Sequence, residues 1–203
     1  MSQDTVTLGS LRLAVSECRG CDLWQRATQA VFGEGGRRSR VMLVGEQPGD
    51  MEDREGRPFV GPAGKLLDQA LAEVGLDRDL VYITNVVKHF KWEPRGKRRI
   101  HSKPNREQIE ACRPWLDAEI RTIQPVVLVC LGATAAQTLI GPAFRVRQQR
   151  GAWIASPLAP RVLATVHPSS ILRERDEHAR AEAFARFVMD LKVVAGDPTA
   201  GPV

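Results

Sequence analysis

Two histidines in this chain lie in polar segments where an imidazole could act as a nucleophile or a hydrogen-bond donor. His101 follows three consecutive cations in the segment KRRIHSKPN, and His167 opens the segment HPSS. A neutral imidazole has one nitrogen with a lone pair that can attack an electrophile, and one N–H that can stabilise developing negative charge. A basic run is more often a solvated loop. The alternative for His101 is therefore a loop residue that contacts phosphate.

The four cysteines differ in their surroundings along the chain. Cys18 and Cys21 have the C-x-x-C spacing of metal ligands, and Cys112 lies in the helical pattern ACRPWL. Cys130 lies within the apolar run VVLVCLG, where a buried free thiol is ordinary. Without an export signal, a disulfide framework is not expected, and the cysteines indicate a metal site or a reactive thiol.

Four short apolar runs predict the strands that must position these residues. They are continuously apolar, as strands covered on both faces tend to be. Helical patterns lie between them, one of which ends at Gly75 and another of which is capped by Asn105. This alternation predicts an α/β fold, a three-layer α/β/α sandwich around a central four-stranded parallel sheet. The predicted strands are residues 41–44, 81–86, 126–131 and 162–166, and the main predicted helices are residues 63–74, 106–123, 134–140 and 176–194.

The carboxyl ends of these strands should carry the function, because ligands of parallel sheets bind beyond them. The residues there are Gly45 to Gly49 (GEQPG), Asn85, Gly132 to Thr134, and His167 to Ser170. The glycine-rich turn GEQPG has the spacing of neither a GxGxxG nor a Walker A sequence. A nucleotide phosphate loop is therefore disfavoured.

Length and charge limit the class of protein. The 203 residues, 43% of them hydrophobic, predict one domain over residues 1–195 and a flexible tail over residues 196–203. The net charge of +5 suits a polyanionic partner. No apolar run is long enough to span a bilayer, and the first residues lack a secretory pattern. We therefore expect a cytoplasmic protein with no membrane partner, and a monomer.

Three segments carry a resemblance to a known family. GEQPGDMEDREGRPFVGPAGKLLD, TNVVK and HPSSILR resemble, in order, the motifs of the uracil-DNA glycosylase superfamily in the arrangement of its iron-sulfur family-four branch. The segment KRRIH is similar to the insertion that marks the UdgX branch, whose members become covalently attached to uracil-containing DNA. The resemblance covers nearly the whole chain. It implies excision of uracil from single-stranded or double-stranded DNA.

The resemblance also implies roles for residues around the base. Phe59 would stack on the flipped uracil, and Gln47 would help to form its pocket. The carboxamide of Asn85 can accept from uracil N3–H and donate to O4, and His167 can donate to O2 as negative charge grows there. Glu46 would lie near the sugar, where it could activate water, orient His101 or stabilise the sugar cation. Without the motif, Phe59 would be as well explained as a core residue.

The basic segment and the serines would meet the DNA itself. Lys97, Arg98 and Arg99 are predicted to contact phosphates beside the flipped nucleotide. Ser169 and Ser170 are predicted to contact the DNA backbone. His101 would then reach C1′ and form a C–N bond with the abasic sugar, which predicts single-turnover trapping.

The family pattern also implies a metal site. The third family-four ligand would be a cysteine after TNVVK, but this chain has His89 at that position. Since imidazole can replace thiolate on a cluster iron, the prediction is that Cys18, Cys21, His89 and Cys112 hold a [4Fe-4S] cluster. Structural zinc is the alternative, because three cysteines and one histidine also suit zinc.

Two other functions remain open from the sequence. One is an ordinary iron-sulfur glycosylase that uses water as the nucleophile and turns over many times. The other is a noncatalytic iron-sulfur module that binds nucleic acid or carries electrons, which would leave Asn85, Phe59 and His167 without a shared explanation.

Overall fold

The four predicted apolar runs form neighbouring parallel strands at the centre of the protein. The structure is a computed structural model that describes residues 7–200. Its strands are β1 (Val41–Gly45), β2 (Val81–Asn85), β3 (Trp92–Arg95), β4 (Arg98–His101), β5 (Val127–Leu131), β6 (Trp153–Ile154) and β7 (Arg161–Thr165). Its α-helices are α1 (Leu8–Ser16), α2 (Asp50–Glu55), α3 (Pro62–Glu73), α4 (Arg106–Ile123), α5 (Ala133–Leu139), α6 (Val146–Gln149), α7 (Pro168–Leu172) and α8 (Glu177–Ala195).

The main sheet has the strand order β2-β1-β5-β7-β6. Strands β2, β1, β5 and β7 are parallel, which confirms the predicted α/β/α sandwich around four parallel strands. The short strand β6 was not predicted; it pairs antiparallel with β7 and adds a fifth strand at the edge. Gly45 pairs with Asn85, so the carboxyl ends of β1 and β2 lie side by side.

Alternate residues of the sheet pack against two separate helical layers. Met42 and Val44 of β1 face a cluster that includes Leu116 of α4 and residues of α5. Leu43 faces the opposite cluster, which includes Leu67 of α3 and residues of α8. Because both faces are covered, the strands are apolar throughout, and Cys130 of β5 is fully buried as predicted.

The helix boundaries agree with the capping residues in the sequence. Helix α3 ends at Glu73, and Gly75 follows with φ 73°, the left-handed conformation that glycine adopts without strain. Asn105 caps α4, and its side chain accepts a hydrogen bond from the backbone of Gln108 at 2.9 Å. Helix α8 is the longest, and neither it nor any other helix within residues 7–200 is long and apolar enough to cross a membrane.

The basic segment lies in a two-stranded hairpin that the sequence analysis did not predict. Strands β3 and β4 pair antiparallel, with Trp92 opposite His101 and Arg95 opposite Arg98. Gly96 makes the turn with φ 60°. The hairpin follows β2 and projects from the edge of the sheet where the parallel strands end.

The segment after α8 packs against the sheet instead of extending away. Asp197 forms an ion pair with Arg161 at 3.1 Å, and Arg40 Nε donates to the carbonyl of Thr199 at 2.5 Å. Ala200 is buried in the α3 and α8 layer. Residues 196–200 of the predicted flexible tail therefore contact the body of the protein. Residues 201–203 lie outside the described residues.

Candidate active site

A cavity of about 720 Å³ opens at the carboxyl ends of the four parallel strands. This is the position that the strand-end argument predicted. The predicted site residues that line it are Glu46, Gln47, Phe59, Asn85, His101, His167, Ser169 and Ser170. Lys97, Arg98 and Arg99 are not among the lining residues, although they belong to the hairpin that carries His101.

Asn85 is the last residue of β2 and lies at the bottom of the cavity. Its side chain is buried, and its Oδ1 has no hydrogen-bond partner among residues 7–200. A Cβ on Gly45 would lie 2.4 Å from this Oδ1 and 2.7 Å from Cζ of Phe59, so only glycine lets the two side chains meet there. An unpaired buried acceptor costs about 1–3 kcal/mol. The site is therefore complementary to a ligand that brings an N–H.

Phe59 supplies a flat wall beside Asn85. Its backbone has φ 56°, which is costly for an aromatic residue and is held by the surrounding structure. A Cβ on Gly64 would lie 1.7 Å from the carbonyl oxygen of Phe59, so the first turn of α3 packs directly on this strained residue. The ring centroid lies 5.6 Å from that of His167 at an interplanar angle of 33°. The two rings contact each other, and both line the cavity.

His167 is fixed as a neutral hydrogen-bond donor. It caps α7, and its Nδ1 accepts from the backbone N–H of Ser169 at 3.1 Å. Because an amide nitrogen only donates, Nδ1 holds the lone pair and Nε2 carries the proton. Burial lowers the pKa of His167 to about 4, even though the negative charge of Glu46 opposes the change. At neutral pH, Nε2–H can therefore donate to a developing oxyanion.

Glu46 links β1 to the hairpin and to α5. Its Oε1 lies 3.2 Å from Nε2 of His101, and its Oε2 accepts a hydrogen bond from the hydroxyl of Thr134. Burial acts to raise the pKa of Glu46, but the hydrogen bonds from His101 and Thr134 outweigh it and lower the pKa. The ionised carboxylate thus faces Nε2 of His101. The imidazole is half exposed at the mouth of the cavity.

Gln47 holds the base of the hairpin. It lines the cavity, but its carboxamide is already hydrogen-bonded within the protein. Nε2 donates to the carbonyls of Lys91 and Ser102 at 3.1 and 3.2 Å, and Oε1 accepts from the Lys91 backbone at 3.2 Å. Gln47 therefore shapes the pocket by fixing both ends of the hairpin.

Arg99 anchors the hairpin to α2. Its guanidinium forms ion pairs with Asp50 and with the fully buried Asp53, and it lies 5.5 Å from the ring centroids of both Phe90 and Trp92. These contacts occupy the guanidinium that the sequence analysis assigned to a phosphate.

Lys97 and Arg98 differ from Arg99 in their surroundings. Both are exposed near the hairpin turn. Within the described part of the chain, neither forms a salt bridge. Both side chains remain accessible to a ligand in solution.

Several lining residues had no role in the sequence analysis. Glu52 accepts from the backbone N–H groups of Gly49 and Gly61 at 3.1 and 2.8 Å, which joins the two loops that carry Gln47 and Phe59. Thr134 was noted only as a strand-end residue. Lys103, Arg147 and Arg173 place positive charge around the mouth of the cavity. Their spacing in the sequence gives no signal, because they come from three separate loops and helices.

Three of the predicted metal ligands are gathered near α4. Burial raises the pKa of Cys112 to about 11; Lys88 opposes this, and Cys21 and Cys18 add to it. The Lys88 backbone N–H donates to Sγ of Cys112 at 3.2 Å, and Trp115 Nε1 donates to Sγ of Cys18 at 3.1 Å. Such donors commonly surround the thiolates of iron-sulfur clusters. Two of the three thiols thus accept the kind of hydrogen bond that cluster thiolates accept, but within residues 7–200 the three are not arranged around a common ion.

The predicted fourth ligand is not brought to a common ion with them. His89 is buried, which lowers the pKa of its ring, and the charge that opposes this is Asp53. Across residues 7–200, no group of three or more His, Cys, Asp or Glu side chains is arranged to hold a metal ion. Neither the predicted four-ligand cluster site nor the alternative zinc site is assembled among these described residues.

Comparison with known proteins gives a consistent set of relatives. A family model described as the uracil DNA glycosylase superfamily matches residues 32–192. The chain is 41% identical over 174 residues to a type-4 uracil-DNA glycosylase of Sulfurisphaera tokodaii, which covers 82% of this chain and 76% of the relative. It is also 41% identical to a protein of the same description from Thermotoga maritima, over 82% of this chain and 83% of the relative. A third such protein, from Pyrobaculum aerophilum, is 37% identical over 82% and 85% of the two chains.

Proposed function

Because the chain belongs to the uracil-DNA glycosylase superfamily, we propose that it excises uracil from DNA and that His101 then captures the abasic sugar covalently. One observation carries the proposal: the cavity that holds the unpaired Oδ1 of Asn85 is also lined by His101. The base-reading group and the nucleophile therefore open onto the same space.

Uracil is recognised by its hydrogen-bonding edge and its flat face. The flipped base lies beside Phe59, and its N3–H donates to Oδ1 of Asn85, which pairs the buried acceptor. Cytosine has an unprotonated N3 in the same place, so binding it would leave Oδ1 unpaired at about 1–3 kcal/mol. This difference favours uracil over cytosine.

Bond cleavage relies on the neutral imidazole of His167. As the C1′–N1 bond breaks, both of its electrons pass to uracil, and Nε2–H of His167 donates to O2 as charge accumulates there. A positioned donor of this kind is worth about 3–4 kcal/mol of transition-state stabilisation. The carboxylate of Glu46 stabilises the positive charge that develops on the sugar.

Capture follows because an imidazole lies beside the sugar cation. The unprotonated ring nitrogen of His101 donates its lone pair to C1′, and the resulting imidazolium gives up its other ring proton to Glu46, which lies 3.2 Å from Nε2 in the DNA-free protein. The neutral N-glycosyl imidazole is a poor leaving group. The enzyme therefore stays attached to the DNA after one uracil.

The second candidate is a turnover enzyme in which water replaces His101 as the nucleophile. It is favoured by the relatives, which are described as type-4 uracil-DNA glycosylases. In that reading Glu46 orients water, and the residues around the base keep the same roles. The two candidates differ only in the fate of the sugar.

The deciding experiment incubates the protein with a uracil-containing single-stranded oligonucleotide and resolves the mixture on a denaturing gel. We expect a heat-stable protein–DNA band, and the intact mass of the adduct should equal protein plus DNA minus uracil. Free protein with accumulating abasic DNA would support turnover instead.

Two histidine variants locate the nucleophile. His101→Ala should lose the adduct, and His101→Gly should release uracil without trapping, because water can enter the vacated space. His178→Ala is the matched control, since His178 is exposed on α8 and pairs with Glu182. An adduct that persists in His101→Ala would refute the assignment.

The cofactor proposal is a [4Fe-4S] cluster held by Cys18, Cys21, Cys112 and, as fourth ligand, His89. Such a cluster would brace the N-terminal segment against α4, and no step of the reaction passes through it. The effect of Cys18 and Cys21 on the pKa of Cys112, and the N–H donors to Cys112 and Cys18, support it. Visible absorption together with iron and sulfide analysis of the purified protein tests it; zinc without sulfide would contradict it.

A further inference from the structure

Thr134 is a buried residue at the site to which neither the motifs nor the reaction gives a role. It is the second residue of α5 and is only 4% exposed. Its hydroxyl donates to Oε2 of Glu46. Gly132 precedes α5 with φ 92°, and a Cβ there would lie 2.9 Å from Cβ of His167, so glycine lets α5 begin beside His167.

The hydroxyl determines which oxygen of Glu46 faces the nucleophile. A carboxylate held at one oxygen cannot rotate freely, so Oε1 stays directed at Nε2 of His101. We propose that Thr134 is a positioning residue: its hydroxyl holds Oε2 of Glu46 so that Oε1 faces Nε2 of His101, and this arrangement supports capture of the sugar. This inference rests on the proposed function in the role that it gives Glu46.

The groups around Glu46 show why its pKa depends on the hydroxyl of Thr134. His101 from β4 and His167 at the start of α7 both act to lower the pKa of Glu46, and burial acts to raise it. Without the Thr134 hydroxyl, burial is opposed by fewer donors, so the pKa should rise. The other charged groups around the cavity are Glu52, Lys103, Arg147 and Arg173.

The direct test measures the pKa of Glu46 in the protein without DNA. Glutamate carboxyl carbons are labelled with ¹³C, the Glu46 signal is assigned by its loss in Glu46→Gln, and its pKa is read by NMR titration. Thr134→Val, which keeps the shape and removes the hydroxyl, should raise the pKa by about 1 pH unit. Thr134→Ser should restore the wild-type value. If the valine variant does not fold, Thr134→Ala replaces it, and it should raise the pKa of Glu46 in the same way.

The matched control is Thr138→Val, one turn further along α5. The Thr138 hydroxyl donates to the carbonyl of Thr134 at 2.7 Å and makes no hydrogen bond to Glu46. It should leave the Glu46 titration unchanged. A titration of Thr134→Val that matches wild type, or a shift that Thr134→Ser does not reverse, would overturn the inference.

The second readout is the pH profile of adduct formation. In Thr134→Val the acid limb should move to higher pH, with about tenfold slower trapping at a pH below the shifted limb. An unmoved limb would contradict the inference. If wild type forms no adduct at any pH, the capture proposal fails, whereas the NMR titration still decides the role of Thr134.

Discussion

Asn85 and His167 present opposite hydrogen-bonding roles to one cavity. Asn85 offers an unpaired acceptor, and His167 offers a donor because the Ser169 backbone fixes its tautomer. A uracil edge has the reverse pattern, with N3–H flanked by carbonyl oxygens. The match does not depend on the total charge of the site, because both protein groups are neutral at pH 7.

The lowered pKa of His167 should make stability depend on pH. Its folded pKa is about 4, whereas the ordinary value is 6.5, so the unfolded chain binds the proton first as the pH falls. The contribution of His167 to the free energy of unfolding is at its maximum above pH 6.5. Between pH 6.5 and about 4 the free energy of unfolding falls by up to about 3 kcal/mol because of this group. His167→Asn, which can still cap α7, should show a smaller loss over that window in urea unfolding.

His167→Asn should also slow uracil release by about 10²–10³-fold, because the oxyanion donor is removed. Burial also lowers the pKa of His89, so His89 makes stability depend on pH in the same direction. Because His89 is present in both proteins, the difference between them reports on His167. If the free energy of unfolding depended equally on pH in the two proteins, the imidazole of His167 would be protonated as readily in the folded state as in the unfolded chain.

The elements of the fold were predictable wherever apolar residues recur. The four parallel strands and helices α3, α4, α5 and α8 appear close to their predicted bounds, since each buries an apolar face or run. Glu46, Asn85 and His167 were expected to meet because parallel strands end at one edge. The hairpin was not predicted, because its exposed residues carry no apolar period and Arg99 holds it through α2.

The contact between Thr134 and Glu46 could not be predicted from the positions of the strands and helices along the chain. Glu46 follows β1 and Thr134 follows β5, and these strands are neighbours in the sheet. The sequence reveals which residues end each strand but not the order of strands across the sheet. The contact between the two side chains therefore depends on topology that periodicity does not encode.

Arg99 should affect trapping more than excision. Arg99→Lys loses the planar guanidinium that meets Asp50 and Asp53 together, so the hairpin that carries His101 should be less firmly held. Small displacements of a reacting group cost up to about 10²-fold in rate. Uracil release should persist, because Asn85, Phe59 and His167 lie outside the hairpin, and the product should shift from adduct to free abasic DNA.

A denaturing gel followed by alkali cleavage measures both products of Arg99→Lys. Arg98→Lys is the control at the neighbouring position, where the side chain is exposed and makes no salt bridge within the described residues. The anchoring role would be wrong if both variants kept the wild-type ratio of adduct to abasic DNA.

At the scale of the whole molecule, positive charge is concentrated around the entrance to the cavity. Lys103, Arg147 and Arg173 line it, and Lys97 and Arg98 project from the hairpin beside it. The net charge of the chain is +5. This arrangement favours a nucleic-acid strand that passes over the cavity while one nucleotide enters it.

Arg147 should therefore contribute one phosphate contact. It is exposed at the rim, and neutralising one phosphate of single-stranded DNA changes the slope of log affinity against log salt by about 0.7. Arg147→Ala should reduce the slope by that amount, measured by fluorescence anisotropy with undamaged single-stranded DNA, which contains no uracil and forms no adduct. Arg186→Ala removes the same charge from α8, where the side chain pairs with Glu182 and does not line the cavity, and should leave the slope unchanged. Equal slopes for the two variants would mean that binding follows net charge alone, and the strand path over the cavity would have to be abandoned.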